Sequence, residues 1–235
     1  MAIISSGAGV RPVEEDGADG TEPLLEGGKG LVDRLHAQLH EMLLTHEIPL
    51  GVPISERQLS IRLGVSRTPL RETLRRLEGE GFIQRNNGVL EVRRITLEEF
   101  LELLKIRRLL EVEAAGDAAG RIEPHTVADL RKALELLLAG EVRDNRQRVA
   151  LDLELHRAIC DACGSRSMAE LIEQLRRRSM LFATPPVPGD FRQTVAEHLR
   201  LLDAVATGDK ARAREAMAEH LDHVLDNILS RLMKR

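Results

Sequence analysis

The sequence has few aromatic residues: four Phe, no Trp and no Tyr in 235 positions. That argues against a single-stranded nucleic-acid binder, which stacks bases on aromatic rings. It also argues against a β-sandwich, which draws on aromatic and β-branched side chains. Cysteine is scarcer still. Cys160 and Cys163 alone cannot build a disulfide framework. No apolar run approaches the ~20 residues needed to cross a bilayer. The start, MAIISSGAGVRP, lacks the basic region and apolar stretch of a secretory leader. The expectation is a cytoplasmic protein with reduced thiols and no membrane partner.

What is present points to helix. Leu, Ala, Arg and Glu dominate, and 43% of the residues are hydrophobic, enough for a proper core. The formal charge of −4 conceals an asymmetry. Residues 1–53 carry net −6 and residues 95–235 net −2, whereas residues 54–94 carry nine Arg and net +4. A short positive segment inside an acidic chain is the pattern of a local polyanion-binding surface, its plainer alternative being a solvated arginine face.

Residues 1–23 are rich in Gly, Asp and Glu and read as a flexible tail. Leu31, Leu35, Leu39 and Leu43 recur every four residues and predict a helix ending near Thr45. Pro49, Gly51 and Pro53 predict a turn. Ser55 with Gln58 forms a capping box for a second helix, with Leu59, Ile61 and Leu63 as its apolar side and Gly64 as its stop. Ser66 caps a third helix whose Leu70, Leu74 and Leu77 face a core. Phe82–Arg85 and Val89–Arg94 can pair around Asn86-Asn87-Gly88 as a hairpin. This order predicts a winged helix-turn-helix over 24–94. Beyond it, capping signals and periodicity predict six helices over 95–235, an antiparallel bundle, with a proline-rich loop at Thr184–Asp190. The fold class is mainly α.

On the third helix Arg67, Thr68, Arg71 and Arg75 lie about a right angle away from the leucines. The arginine fork matches guanine O6/N7 and phosphate, and a recognition helix presents its N-terminal residues to base edges. Ser66 and the free N–H groups of the first turn suit a phosphate, and Arg57 suits the backbone or an outer base. The run from Ser55 to Leu77, SERQLSIRLGVSRTPLRETLRRL, closely resembles the DNA-binding domain of GntR-family bacterial transcription regulators, over about Leu31 to Val92. The resemblance implies that Arg57, Ser66, Arg67, Thr68 and Arg71 contact operator DNA and that the wing tip, Asn87-Gly88, reaches the neighbouring groove or backbone.

In the second half, Asp152 and His156 are one helical turn apart, with His198 and His220 on two later helices. Three helices can therefore converge one carboxylate and three imidazoles, a set that suits Zn, Ni, Mn or Fe. Surface or satisfied core histidines are the plainer alternative. Asp152-Leu-Glu-Leu-His156, Glu197-His198 and Glu219-His220 resemble the metal elements of the FCD effector domain, in its VanR-like six-helix form. Leu155 departs from the Phe common there, a change of packing that leaves the ligands intact, and His223 is a rival for His220. The resemblance implies a divalent transition metal, Zn foremost, and a small organic-acid effector, with Arg107 at a position often facing the effector pocket. The alternative for Arg107 is a solvent-facing residue paired with Glu111.

Cys160-Asp161-Ala162-Cys163 lacks a second pair and a preceding strand, so helix packing is expected there. Arg176-Arg177-Arg178 is expected to be a solvated face, the alternative being a place near DNA or a dimer partner. The function expected is a ligand-responsive regulator, a repressor, that binds a pseudo-palindromic double-stranded operator as a homodimer and is not an enzyme. A metal-dependent hydrolase using the Asp/His set and a ligand-independent DNA-binding structural protein are the competing readings.

Overall fold

A computed structural model of the chain describes residues 28–140, 145–182 and 190–233. The expected tail at 1–23 and most of the proline-rich loop at 184–190 lie outside the described residues.

The first 65 described positions or so form a small helical unit with a wing. α1 (Gly28–Leu44) turns Leu35, Leu39 and Leu43 inward and packs across α3 (Arg67–Gly79), which buries Leu70, Thr73, Leu74 and Leu77. Between them, α2 (Glu56–Leu63) starts where the Ser55 hydroxyl accepts from the Gln58 N–H. It stops at Gly64, whose φ of 66° is left-handed. A side chain at that φ is strained, which is why glycine ends the helix there. Ile61 departs from expectation: it is 70% exposed, while Leu59 is buried. Two residues span roughly 200° of a helix, so one face cannot take both.

β1 (Ile83–Asn86) pairs antiparallel with β2 (Val89–Val92), Ile83 opposite Val92 and Asn86 opposite Val89. Asn87 and Gly88 both have positive φ (49° and 81°), the two-residue turn whose twist matches the strands. Residues 51–54, expected only as a turn, also line the free edge of β2. The Gly51 N–H donates to the Val92 carbonyl at 2.8 Å and the Ile54 N–H to the Leu90 carbonyl at 2.7 Å. Pro53, with no N–H to donate, bridges Glu91 at this edge, where proline is tolerated.

The second half is a helical bundle. α4 (Leu97–Ala118) begins at Thr96, whose hydroxyl accepts from the Glu99 N–H. α5 (Pro124–Ala139), α6 (Asn145–Ala162), α7 (Arg166–Ser179), α8 (Asp190–Ala206) and α9 (Lys210–Met233) follow. α4 lies against α9, α7 and α6, while α8 packs on α9 and α5 on α8. The α4–α5 and α8–α9 turns meet closely, and the Gly120 N–H donates to the Val205 carbonyl at 2.8 Å. A β-carbon on Gly120 would lie 3.2 Å from the Gly208 Cα, so this contact depends on glycine. Cys160 and Cys163 are buried and unlinked, packed with Ala114 and Ile172.

Between the two halves Ile95 is buried and its N–H donates to the Leu181 carbonyl at 3.2 Å. The His46 ring, just past α1, donates to the Met180 carbonyl at 2.9 Å. The end of α7 thus touches the first unit.

Candidate nucleic-acid interface and metal centre

The first site is the outer face of α3 with its flanks. Ser66 stands at the N-cap with extended backbone, but its hydroxyl makes no capping bond. Ser66, Arg67, Thr68, Arg71 and Arg75 are all exposed, as are Arg57 on α2 and Asn87 and Gly88 at the wing tip. The arginines of residues 54–94 fall into two groups. Arg62 pairs with Glu47, Arg76 with Asp33 and Glu80, Arg85 with Glu78 and Arg93 with Glu99. Arg57, Arg67 and Arg75 make no ion pair with any described residue. Arg71 is intermediate: its Nε donates to Glu56 at 2.7 Å. Three of the four arginines without an ion pair to a described residue therefore lie on α2 and α3, on the face that the residue pattern marks for reading; the fourth, Arg94, is exposed at the joint to the second half.

The second site lies inside the bundle. His156 on α6, His198 on α8 and His220 on α9 are all buried, and one ring nitrogen from each lies within 4.8 Å of the others. Ring centroids are 4.7 to 5.6 Å apart. Asp152, one turn before His156, places Oδ1 3.4 Å from His198 Nε2 and 4.0 Å from His156 Nε2. Nε2 of His156 and Nε2 of His198 are buried with no hydrogen-bond partner. Two orphaned imidazole nitrogens facing a carboxylate oxygen are a costly arrangement unless a cation fills the space between them. The donor set of three imidazoles and one carboxylate fits a divalent transition metal.

Electrostatics favours the same conclusion. Burial, with Arg176 nearby, lowers His156 to about 4 against the pull of Glu111, and burial lowers His198 well below its usual value. Both rings are neutral at pH 7, the state that offers a lone pair to a metal. Burial alone would raise the Asp152 carboxyl, but the Arg176 guanidinium beside it outweighs burial and holds it below its ordinary range.

Three residues that the sequence reading did not assign complete the centre. Glu111 on α4 puts Oε2 2.8 Å from His156 Nδ1, and Glu197 puts Oε2 3.2 Å from His220 Nδ1. Both carboxylates lie beside Nδ1, the placement that fixes tautomer and orientation in metal sites, and the Glu197 contact has the geometry of a hydrogen bond whereas the Glu111 contact is a close approach of charge. Glu197 precedes His198 directly, so its position was visible in the sequence although its role was not. The rival His223 is partly exposed and also pairs with Glu197, at 2.9 Å. It is not among the three converging histidines.

The third is Arg176, and it corrects the expectation of a solvated arginine run. Arg176 is buried, donating to Glu111 at 3.0 Å and to Asp152 at 2.7 Å. Consecutive helical residues point about 100° apart, so a run of three cannot all face solvent on a packed helix. Arg178 pairs with Glu99 at 2.9 Å, and Arg177 pairs with Glu173. Arg107 also departs from its solvent-facing alternative: it is buried and donates to Glu111 at 2.7 Å. Burial pushes the Glu111 carboxyl up, yet the two guanidiniums win and hold it well below its usual value. A cavity of about 860 Å³ runs between α1, α6 and α7, with His156, Arg176 and Arg177 in its wall.

Residues 31–90 match the family described as bacterial regulatory proteins, gntR family, and residues 102–223 match the FCD domain. An uncharacterized HTH-type transcriptional regulator in an unstable DNA locus of Streptomyces ambofaciens is 30% identical over 225 residues, spanning 83% of this chain and 83% of its own. A protein of Paenarthrobacter nicotinovorans named "Probable D-xylose utilization operon transcriptional repressor" is 28% identical over 179 residues, spanning 74% of this chain and 78% of its own. Among solved structures, Escherichia coli McbR/YncC is similar with a TM-score of 0.75 at 25% identity, covering 85% of this chain and 97% of its own. Among the described residues no helix is long and apolar enough to cross a membrane.

Proposed function

This chain belongs to the gntR family of bacterial regulatory proteins and is a DNA-binding transcription regulator with an FCD domain, and from that premise we propose that its bundle senses a small carboxylate through a bound metal and thereby sets operator affinity. The domain boundary is proposed at residues 94 and 95. In the reading head, Arg67, Thr68 and Arg71 meet base edges in the major groove, Ser66 and Arg57 meet phosphate, and Asn87 and Gly88 follow the adjacent backbone. Two chains form a homodimer on a pseudo-palindromic operator, with half-sites about 34–36 Å apart or a multiple of that.

The observation that carries the sensor half is the pair of buried, partnerless Nε2 atoms on His156 and His198, beside His220 and the Asp152 oxygen. These four residues hold a divalent metal, Zn foremost, with Ni, Mn or Fe as alternatives. When bound, the metal supplies open coordination positions that a carboxylate oxygen can occupy. Glu111 and Glu197 keep the His156 and His220 rings turned so that Nε2 faces inward. Arg176, whose Nε is buried without a partner, receives the acid's second oxygen from the side of the α1–α6–α7 cavity. Arg107 stands behind Glu111 and joins only where Glu111 gives way. Repression as the sign of control is suggested by the name of the Paenarthrobacter relative.

Elemental analysis of protein purified without chelator or affinity metal tests the centre. Roughly one transition metal per chain is expected, falling severalfold in His198→Ala, while operator affinity stays within about twofold. A thermal-shift screen of small carboxylates on the metal-loaded protein then tests the effector class, since a ligand at 100 times its Kd adds about 2.7 kcal/mol of stability. Full metal content in His198→Ala would reject the ligand set. No response to any acid would leave the DNA-binding half standing and remove the carboxylate.

A further inference from the structure

The Arg176-Arg177-Arg178 run ends α7 at the place where the bundle meets the reading head, and its three side chains go to three destinations. Arg176 holds Asp152 and Glu111 at the buried centre, at 2.7 and 3.0 Å. Arg177 Nη1 lies 3.5 Å from His40 Nε2 on α1. Arg178 donates to Glu99 at 2.9 Å, and Glu99 also receives Arg93, from the joint after the wing, at 2.7 Å. Two and three residues further on, the Met180 and Leu181 carbonyls accept from the His46 ring and the Ile95 N–H. About one and a half turns of chain therefore carry a contact to the centre and contacts to both ends of the reading head's attachment.

Helix rotation explains the division, since successive side chains are about 100° apart. It also makes the stretch a mechanical unit, because a hydrogen-bonded turn moves as one body. Its surroundings leave room for movement: the cavity between α1, α6 and α7 has His40, Arg176 and Arg177 in its wall. α1 and α7 meet through the Arg177–His40 contact beside that cavity.

We propose that Arg177 and Arg178 are positioning residues that transmit the state of the buried centre, read by Arg176, to α1 and to the joint at residues 93–96. The ligand that sets this state belongs to the function proposed above, but the coupling can be tested without it. Asp152→Asn removes one of the two carboxylates on Arg176 while leaving the side chain's shape. Hydrogen exchange is measured on the full chain with and without this change, in the native background and in Arg177→Ala/Arg178→Ala. Exchange at residues 40–48 and 93–96 is expected to change roughly threefold in the native background and by less than about 1.5-fold in the double-alanine background. His40→Ala, which breaks the contact from the α1 side, is expected to abolish the change at residues 40–48 in the same way. An equal change in both backgrounds, or none at 40–48 in either, overturns the proposal. A parallel titration of chelator-stripped protein with Zn²⁺ separates the two readings. If Zn²⁺ alters exchange nowhere in α6, α8 or α9, the metal centre is rejected, and the Asp152→Asn comparison still decides the coupling.

Discussion

On the reading head, Arg57, Arg67 and Arg75 stand in solvent without an ion pair to a described residue; in the bundle, Arg107 and Arg176 are buried and each meets a carboxylate at 3.0 Å or closer. The same side chain serves opposite ends. An exposed guanidinium costs little to maintain and remains available to a polyanion, and surface pairs around it contribute only ~0–1 kcal/mol. A buried one must be matched in place, and a matched buried network is seldom worth more than apolar packing of the same volume. A network kept at that cost inside a bundle is better understood as part of a site than as a stabilising device. The contrast also explains the charge pattern: the positive segment advertises its function in the sequence, while the bundle's cations are cancelled by Glu111 and Asp152.

The sharpest test of this contrast is to remove the shared carboxylate. Glu111→Ala leaves Arg107 and Arg176 under-compensated and should cost about 3–5 kcal/mol in urea unfolding. A cost below about 1 kcal/mol would mean that water reaches these groups and that the centre is not sealed. Arg67→Ala should leave unfolding unchanged but weaken operator binding by about 1–3 kcal/mol at one matched base, with relaxed preference there, read by fluorescence anisotropy on substituted sites. Uniform weakening across all sequences would assign Arg67 to phosphate instead. Gly64→Ala imposes a left-handed φ on a residue with a side chain and should destabilise the reading head by roughly 1–2 kcal/mol in thermal unfolding, with no effect on metal content. Ile61→Ser should change stability by less than about 0.5 kcal/mol, because the side chain is largely in solvent; a larger loss would return it to the core where periodicity had placed it.

An acid titration compares the two units in another way. Burial, with Arg177 and His36 adding to it, lowers His40 to about 4. A folded value below the unfolded one means that stability is full above about 6.5 and is lost as pH falls toward 4. In His40→Gln the unfolding free energy should therefore decline less steeply across that window.

Legibility followed the range of the interaction. The Ser55–Gln58 cap, the Gly64 stop and the Asn87-Gly88 turn are decided within four residues, and each appears in the structure where the sequence placed it. Ile61 was misplaced because an apolar residue in a short helix carries no label for which face is inward. Arg176 was read as a surface charge because what cancels it is contributed by other helices: it meets Glu111 at a separation of 65 residues and Asp152 at 24. The Arg107–Glu111 pair was visible at i and i+4, but nothing local showed that it is buried. Glu111 was seen only as a neighbour of Arg107, with no sign that it also faces His156.

By itself the sequence determined the helical class, the wing, the arginine face of α3 and the spacing that puts Asp152 and His156 on one side of a turn, because periodicity and capping act locally. Only the tertiary structure decided that α4, α6, α7, α8 and α9 close around one point, that two imidazole nitrogens there lack partners, and that α7 ends against the reading head. Those outcomes depend on how helices pack, and a charge in a packed interior takes its meaning from neighbours that no local pattern records.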